Sequence, residues 1–194
     1  MRVLWPVVAA AVAAAVLAAG ASTSVTALPG LMTTKLPWPA NNGPPLRARL
    51  KAARIAALGA EGTALHTHQH LDLVVNRRGV PIPAGIGIDK AGRFISPLHT
   101  HDYSGIIHVE SPTVRPYTLG QFFDVWGLRF SSRCLGGYCA KGSKKVWVFV
   151  NGRLALGDPR AIALTQHLEI AIAYGTYAAI PQPVPTSYPF PNGL

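Results

Sequence analysis

The chain has 194 residues, 49% of them apolar and 13% charged, with a formal net charge of +10. That apolar content excludes wholesale disorder and is enough for one buried core of ordinary domain size. The 18 Lys and Arg are scattered, with patches at Arg47, Arg49, Lys51 and Arg54 and at Lys141, Lys144 and Lys145, and no aromatic stripe runs between them to stack bases; the pattern argues against a nucleic-acid partner.

In chain order, Met1-Arg2 supplies a short positive start and residues 3–21 are apolar almost without a break. Small residues at Ala19-Gly20-Ala21 and Val25-Thr26-Ala27 offer cleavage sites, so residues 1–27 read as a signal peptide, with an uncleaved membrane anchor as the alternative. Either way the remainder is expected outside the cytoplasm, secreted or tethered to the membrane surface by that segment. Residues 28–61 read as a linker carrying a short basic helix, which starts at Pro45 and stops at Gly59. Its basic face is expected in solvent, or else against anionic lipid.

From residue 62 the period of the pattern drops to two. Residues 71–75 read as a strand, 76–79 as a turn, 80–82 as a short strand and 105–110 as a further strand. Thr118-Leu119-Gly120-Gln121 forms a capping box that opens a helix with Phe122, Phe123, Val125 and Trp126 on its apolar face, and Gly127 can close it. Cys134 and Cys139 enclose a glycine-containing loop, expected to close as a disulfide in an oxidising compartment, although a Cys pair can also ligate metal. Residues 145–150 are a strand running into Asn151-Gly152, a two-residue hairpin turn, and 168–173 make the last strand. The folded region is thus 62–176, and 177–194 is a Pro-rich tail that can enter neither sheet nor helix. Strand, insertion, strand, helix, hairpin, strand is the element order of an α+β β-grasp fold, a sheet wrapped on one helix. A small β-sandwich with a helix on its rim is the alternative.

Six of the seven histidines, His66, His68, His70, His99, His101 and His108, lie in this region before the helix. Alternate residues of a strand share a face, so His66, His68 and His70 project together with Asp72, His99 and His101 repeat the spacing, and His108 shares a face with Glu110. Imidazole is the commonest protein ligand of transition metals, and His-x-His places two rings around one ion. Asp72, Asp102 or Glu110 can join as ligands or fix imidazole tautomers. A nitrogen-rich, thiol-free set suits Zn or Cu better than Fe or Mn. The cupin pattern, which also pairs His-x-His with a later Glu, is not matched, because His101 and Glu110 are too far apart. If 70–76 pairs with 105–111, His70 falls near Ser111 and away from His99, so one ion and two separate sites are both compatible with the spacing.

The runs HTHQHLD, LHTHDYSGIIHVESP and TLGQFFDVWG resemble those of a set of exported or membrane-anchored bacterial proteins, many actinobacterial, with no established activity. The likeness covers about residues 56 to 176 and implies no reaction. The expectation is therefore an extracytoplasmic metal-binding protein, non-catalytic, with His66, His68, His70, His99, His101, His108, Asp102 and Glu110 as candidate ligands. A metal-dependent hydrolase or oxidase and a cell-envelope interaction module without metal are the alternatives.

Overall fold

A computed structural model describes residues 28–194; the expected export segment, 1–27, lies outside the described residues. The elements are α1 (Pro44–Ala52), β1 (Leu65–Val75), β2 (Arg78–Val80), β3 (Ile88–Asp89), β4 (Phe94–Ile95), β5 (Leu98–His99), β6 (Ile106–Ser111), α2 (Leu119–Trp126), β7 (Cys134–Leu135), β8 (Tyr138–Cys139), β9 (Lys145–Val150), β10 (Arg153–Leu154) and β11 (Glu169–Gly175). The fold is mixed α+β: one open sheet in the order β10-β9-β11-β1-β6-β5, with β2 alongside β1. The other pairings among the described residues are the two-stranded ribbons β3-β4 and β7-β8, so no second sheet stacks on the first to make the sandwich. The central strands β1 and β11 run parallel and the remaining neighbours antiparallel. Among the described residues no helix is long and apolar enough to cross a membrane.

The local signals form as their chemistry directs. Thr118 accepts from the Gln121 amide while the Gln121 side chain accepts from the Thr118 amide, and Gly127 ends α2 with φ 72°. At that position a Cβ would come within 2.8 Å of the Arg49 guanidinium carbon. Asn76 and Arg77 (φ 50° and 73°), and Asn151 and Gly152 (φ 49° and 77°), make the two tight turns that the right-handed strand twist favours.

Each strand divides its side chains between two faces. Leu71, Leu73, Ile107, Val109, Ile170, Ile172 and Val148 meet Phe122, Phe123, Val125 and Trp126 of α2 in one apolar cluster. Each fully buried side chain of that size contributes about 1.5–3 kcal/mol. The opposite face carries Phe149 and Ala171, covered by Ile180 and Val184 as the chain enters its Pro-rich tail. Farther along the tail, Tyr188 stacks on His70 at 3.8 Å between ring centroids.

The N-terminal stretch departs from the expected linker. Trp38 is buried, donates from its indole to Thr34 O and meets Tyr138 edge-on, while Trp126 donates to Pro39 O. The helix stops at Ala52, seven residues before Gly59, because Arg54 turns left-handed (φ 56°) and Ile55 bonds back to Leu50 O, which buries Ile55. Nor is the basic face wholly in solvent. Arg49 is fully buried, donating to Pro29 O, Asn41 O and Val125 O, and thereby ties the stretch to the end of α2.

Candidate metal centre

The β1-β6 register sets the site. Strand β1 begins at Leu65, so His66 and His68 lie within it, and His66 stands opposite Glu110, His68 opposite His108 and His70 opposite Ile106. The expected neighbour of His70, Ser111, instead faces Leu65. The insertion after β2 folds back as β5, which adds to the far edge of β6 with His99 opposite His108. His68, His108 and His99 therefore form a row across three strands, on the face away from α2. Their centroid spacings, 4.6 Å and 5.3 Å, are close to the roughly 4.8 Å between neighbouring strands.

Around this row the ligand atoms converge. Those of His99, His101, His108 and Glu110 lie within 4.8 Å of one another, as do those of His66, His68 and Glu110. These are buried His/Glu clusters that can hold a metal. His68, His99, His108 and Glu110 are buried, while the side chains of His66 (50% exposed), His101 (44%) and Glu61 (48%) form a solvent-facing rim.

Hydrogen bonds set the imidazoles. His99 donates Nδ1–H to Ser96 O at 2.9 Å, leaving the Nε2 lone pair aimed at His101 Nε2 3.1 Å away. His108 donates Nδ1–H to Glu110 Oε1 at 2.9 Å. His68 Nδ1 and Nε2 are both buried without a hydrogen-bond partner. Burial above all, with the neighbouring His108 and His66, pushes His68 down to about 4. Burial also brings His99 to about 4, outweighing the pull of Glu110. Both rings are thus neutral near pH 7, the form that binds metal. At Glu110 burial favours the acid, but the His108 hydrogen bond and the charges of His99, His108 and His66 outweigh it and hold the carboxyl at about 2.

Two expected ligands sit apart. His70 is engaged through Nδ1 with Glu169 Oε2 at 2.8 Å and through Nε2 with Ser104 O at 2.9 Å. Since the carbonyl only accepts, Nε2 carries a proton, and Glu169 raises His70 above its usual range despite the opposing effect of burial. His70, Asp72 and Glu169 form a third group whose ligand atoms lie within 4.8 Å of one another. Asp102 lies outside all three groups and accepts instead from the Ser104 amide and hydroxyl, closing the turn after His101. His167, near the start of β11, is engaged with Leu194 O and stacked on Phe190. Cys134 and Cys139 are joined as a disulfide, which removes them as ligands.

Sequence reasoning missed Glu61 and Glu169. Glu61 Oε1 lies 3.3 Å from His101 Nε2 and 3.9 Å from His99 Nε2. The available signal was scarcity: the chain has three glutamates, Glu61, Glu110 and Glu169, and each is within 4.0 Å of an imidazole nitrogen. No family model matches the chain, and no curated protein or solved structure does.

Proposed function

We propose that this protein binds a divalent transition metal outside the cytoplasm, and that it holds the metal rather than using it in catalysis. One observation carries the reading: donor atoms of His99, His101, His108 and Glu110, from two strands and a turn, lie within 4.8 Å of one another. Without a cation, two imidazole nitrogens face each other at 3.1 Å beside a buried carboxylate. In the adjoining set His68 keeps both ring nitrogens buried without a hydrogen-bond partner, at a cost of about 1–3 kcal/mol that an ion bound there removes.

Nitrogen-rich donors without thiolate suit Zn or Cu before Fe or Mn. The disulfide fits an oxidising compartment, in keeping with the export signal read from residues 1–27. Kinship with the exported bacterial proteins sharing the HTHQHLD and LHTHDYSGIIHVESP runs belongs to the same proposal. The parallel pairing of β1 with β11, flanked by β6 and β9, supports a β-grasp assignment within the α+β class.

The test is metal content. Protein purified without a His-tag is loaded with Zn(II), desalted and measured by elemental analysis. The double variant His99→Ala/His101→Ala should retain much less metal than the parent, and equal content in the two would remove those residues from the site.

A further inference from the structure

Glu110 faces two groups of imidazoles at once. Its Oε1 lies 3.3 Å from His66 Nε2 and 4.0 Å from His68 Nε2, and its Oε2 lies 3.8 Å from His99 Nε2. Beyond His99 stand His101 at 3.1 Å and then Glu61, 3.3 Å from His101. Donors around one zinc, each bonded at about 2.0–2.1 Å, are separated by roughly 3.3 Å in a tetrahedron. These spacings are close to that on both sides of the carboxylate. The two sets of converging donors have only Glu110 in common.

A single ion among His99, His101, His108 and Glu110 leaves His68 unexplained. That ring is 3% exposed, neither of its nitrogens has a hydrogen-bond partner, and it belongs to the other set. We propose that the centre is dinuclear, with Glu110 bridging two divalent transition-metal ions. One is held by His99 and His101 with Glu61 at the rim, the other by His66 and His68. The proposal rests on the metal-binding reading above and adds its stoichiometry and its bridge. A carboxylate has two oxygens with lone pairs to spare, and metal pairs in proteins stand about 3.5–4 Å apart, a span one carboxylate covers. His108 keeps its Nδ1–H on Glu110 and so fixes the plane of the bridge. Glu110 and Glu61 also supply negative charge, which two dications need when most other donors are neutral imidazoles.

The experiment is titration of the tag-free protein with Zn(II) and, separately, with Cu(II), read by elemental analysis and by electron paramagnetic resonance. About two equivalents of either metal are expected, and a Cu(II) pair about 3.5–4 Å apart should show a spin-coupled spectrum with a half-field transition. His66→Gln/His68→Gln should fall to about one equivalent, with the spectrum of an isolated Cu(II) ion and no half-field transition. Circular dichroism of that variant checks the fold, and the parent's stoichiometry and coupling need no variant at all. One equivalent in the parent overturns the dinuclear proposal while leaving metal binding intact. Two equivalents with the spectrum of isolated Cu(II) ions and no half-field transition overturn the bridge. No retained metal overturns the metal-binding reading itself.

Discussion

Acid should destabilise the metal-free protein as pH falls below 6.5, because two buried imidazoles must stay neutral in the fold. Burial raises Glu169 and Asp124, which act in the opposite sense as they take up protons. His68 and His99 are each brought from 6.5 to about 4. A base with a lowered folded value costs stability as pH falls, since the unfolded chain takes up a proton below 6.5 that the folded chain refuses until about 4. The difference amounts to about 3 kcal/mol for each group, at about 1.4 kcal/mol per pH unit. Between pH 6.5 and about 5 the two together lower stability by at most about 4 kcal/mol, the sum being an upper bound because both rings adjoin His108. His70, raised by Glu169, contributes stability that is complete below 6.5 and lost only as pH rises through its folded value, so it is constant across this window. Glu110, lowered from 4.5 to about 2, contributes stability lost as pH falls below 4.5, under the window. Urea unfolding in EDTA at about pH 7, 6 and 5 reads the slope directly. His68→Gln should roughly halve it. A slope left unchanged by His68→Gln would refute the neutral, buried state of that ring, because Glu169 and Asp124, both raised by burial, are common to parent and variant.

Three further outcomes follow from the packing. Arg49→Ala removes a fully buried guanidinium that donates to three carbonyls, and should cost about 3–5 kcal/mol in urea unfolding, with Lys a poor substitute for the fork. Trp126→Ala, on the face opposite the histidines, should cost about 3–5 kcal/mol yet leave the metal content of the folded protein unchanged. Ending the chain after residue 182 strips Val184 and Tyr188 from the second face of the sheet and should raise binding of an apolar dye, measured by fluorescence, without loss of metal.

What could be read from the sequence was local. A capping box, an Asn-Gly turn and the alternation of His66, His68 and His70 are each set by a few adjacent residues, and all take the form their chemistry dictates. The candidate site was legible as a composition, five of the six expected histidines and Glu110, because alternation fixes a face. Its assembly was not, since that depends on the β1-β6 register and on β5 returning to the edge of β6. A slip of β1 by one residue would have moved His66, His68 and His70 to the apolar side. Strand β1 starts six residues earlier than the hydrophobic run suggests, because Leu65–His70 is held by pairing with β6 rather than by apolar content. The same blindness to distant contacts hid Arg49, whose partners lie 8, 20 and 76 residues away, and Glu61, which sits in a stretch with no periodicity.

Whether the metal holds the fold together or is merely carried by it is decided by where the apolar core lies. The cluster built on α2 packs against one face of the sheet, and the histidine row occupies the other. The β1-β6 and β5-β6 pairings that place the ligands are backbone hydrogen bonds that need no ion. The rim formed by His66, His101 and Glu61 is about half exposed, so a chelator can reach the site without the chain opening. EDTA should therefore strip the metal while the far- and near-ultraviolet circular dichroism stay unchanged. Re-addition of metal at about 100 times its dissociation constant should restore about 2.7 kcal/mol of stability for each ion bound, by mass action alone. Collapse of the near-ultraviolet signal on chelation would mean that the ion is a structural element of the fold rather than a cargo the fold carries.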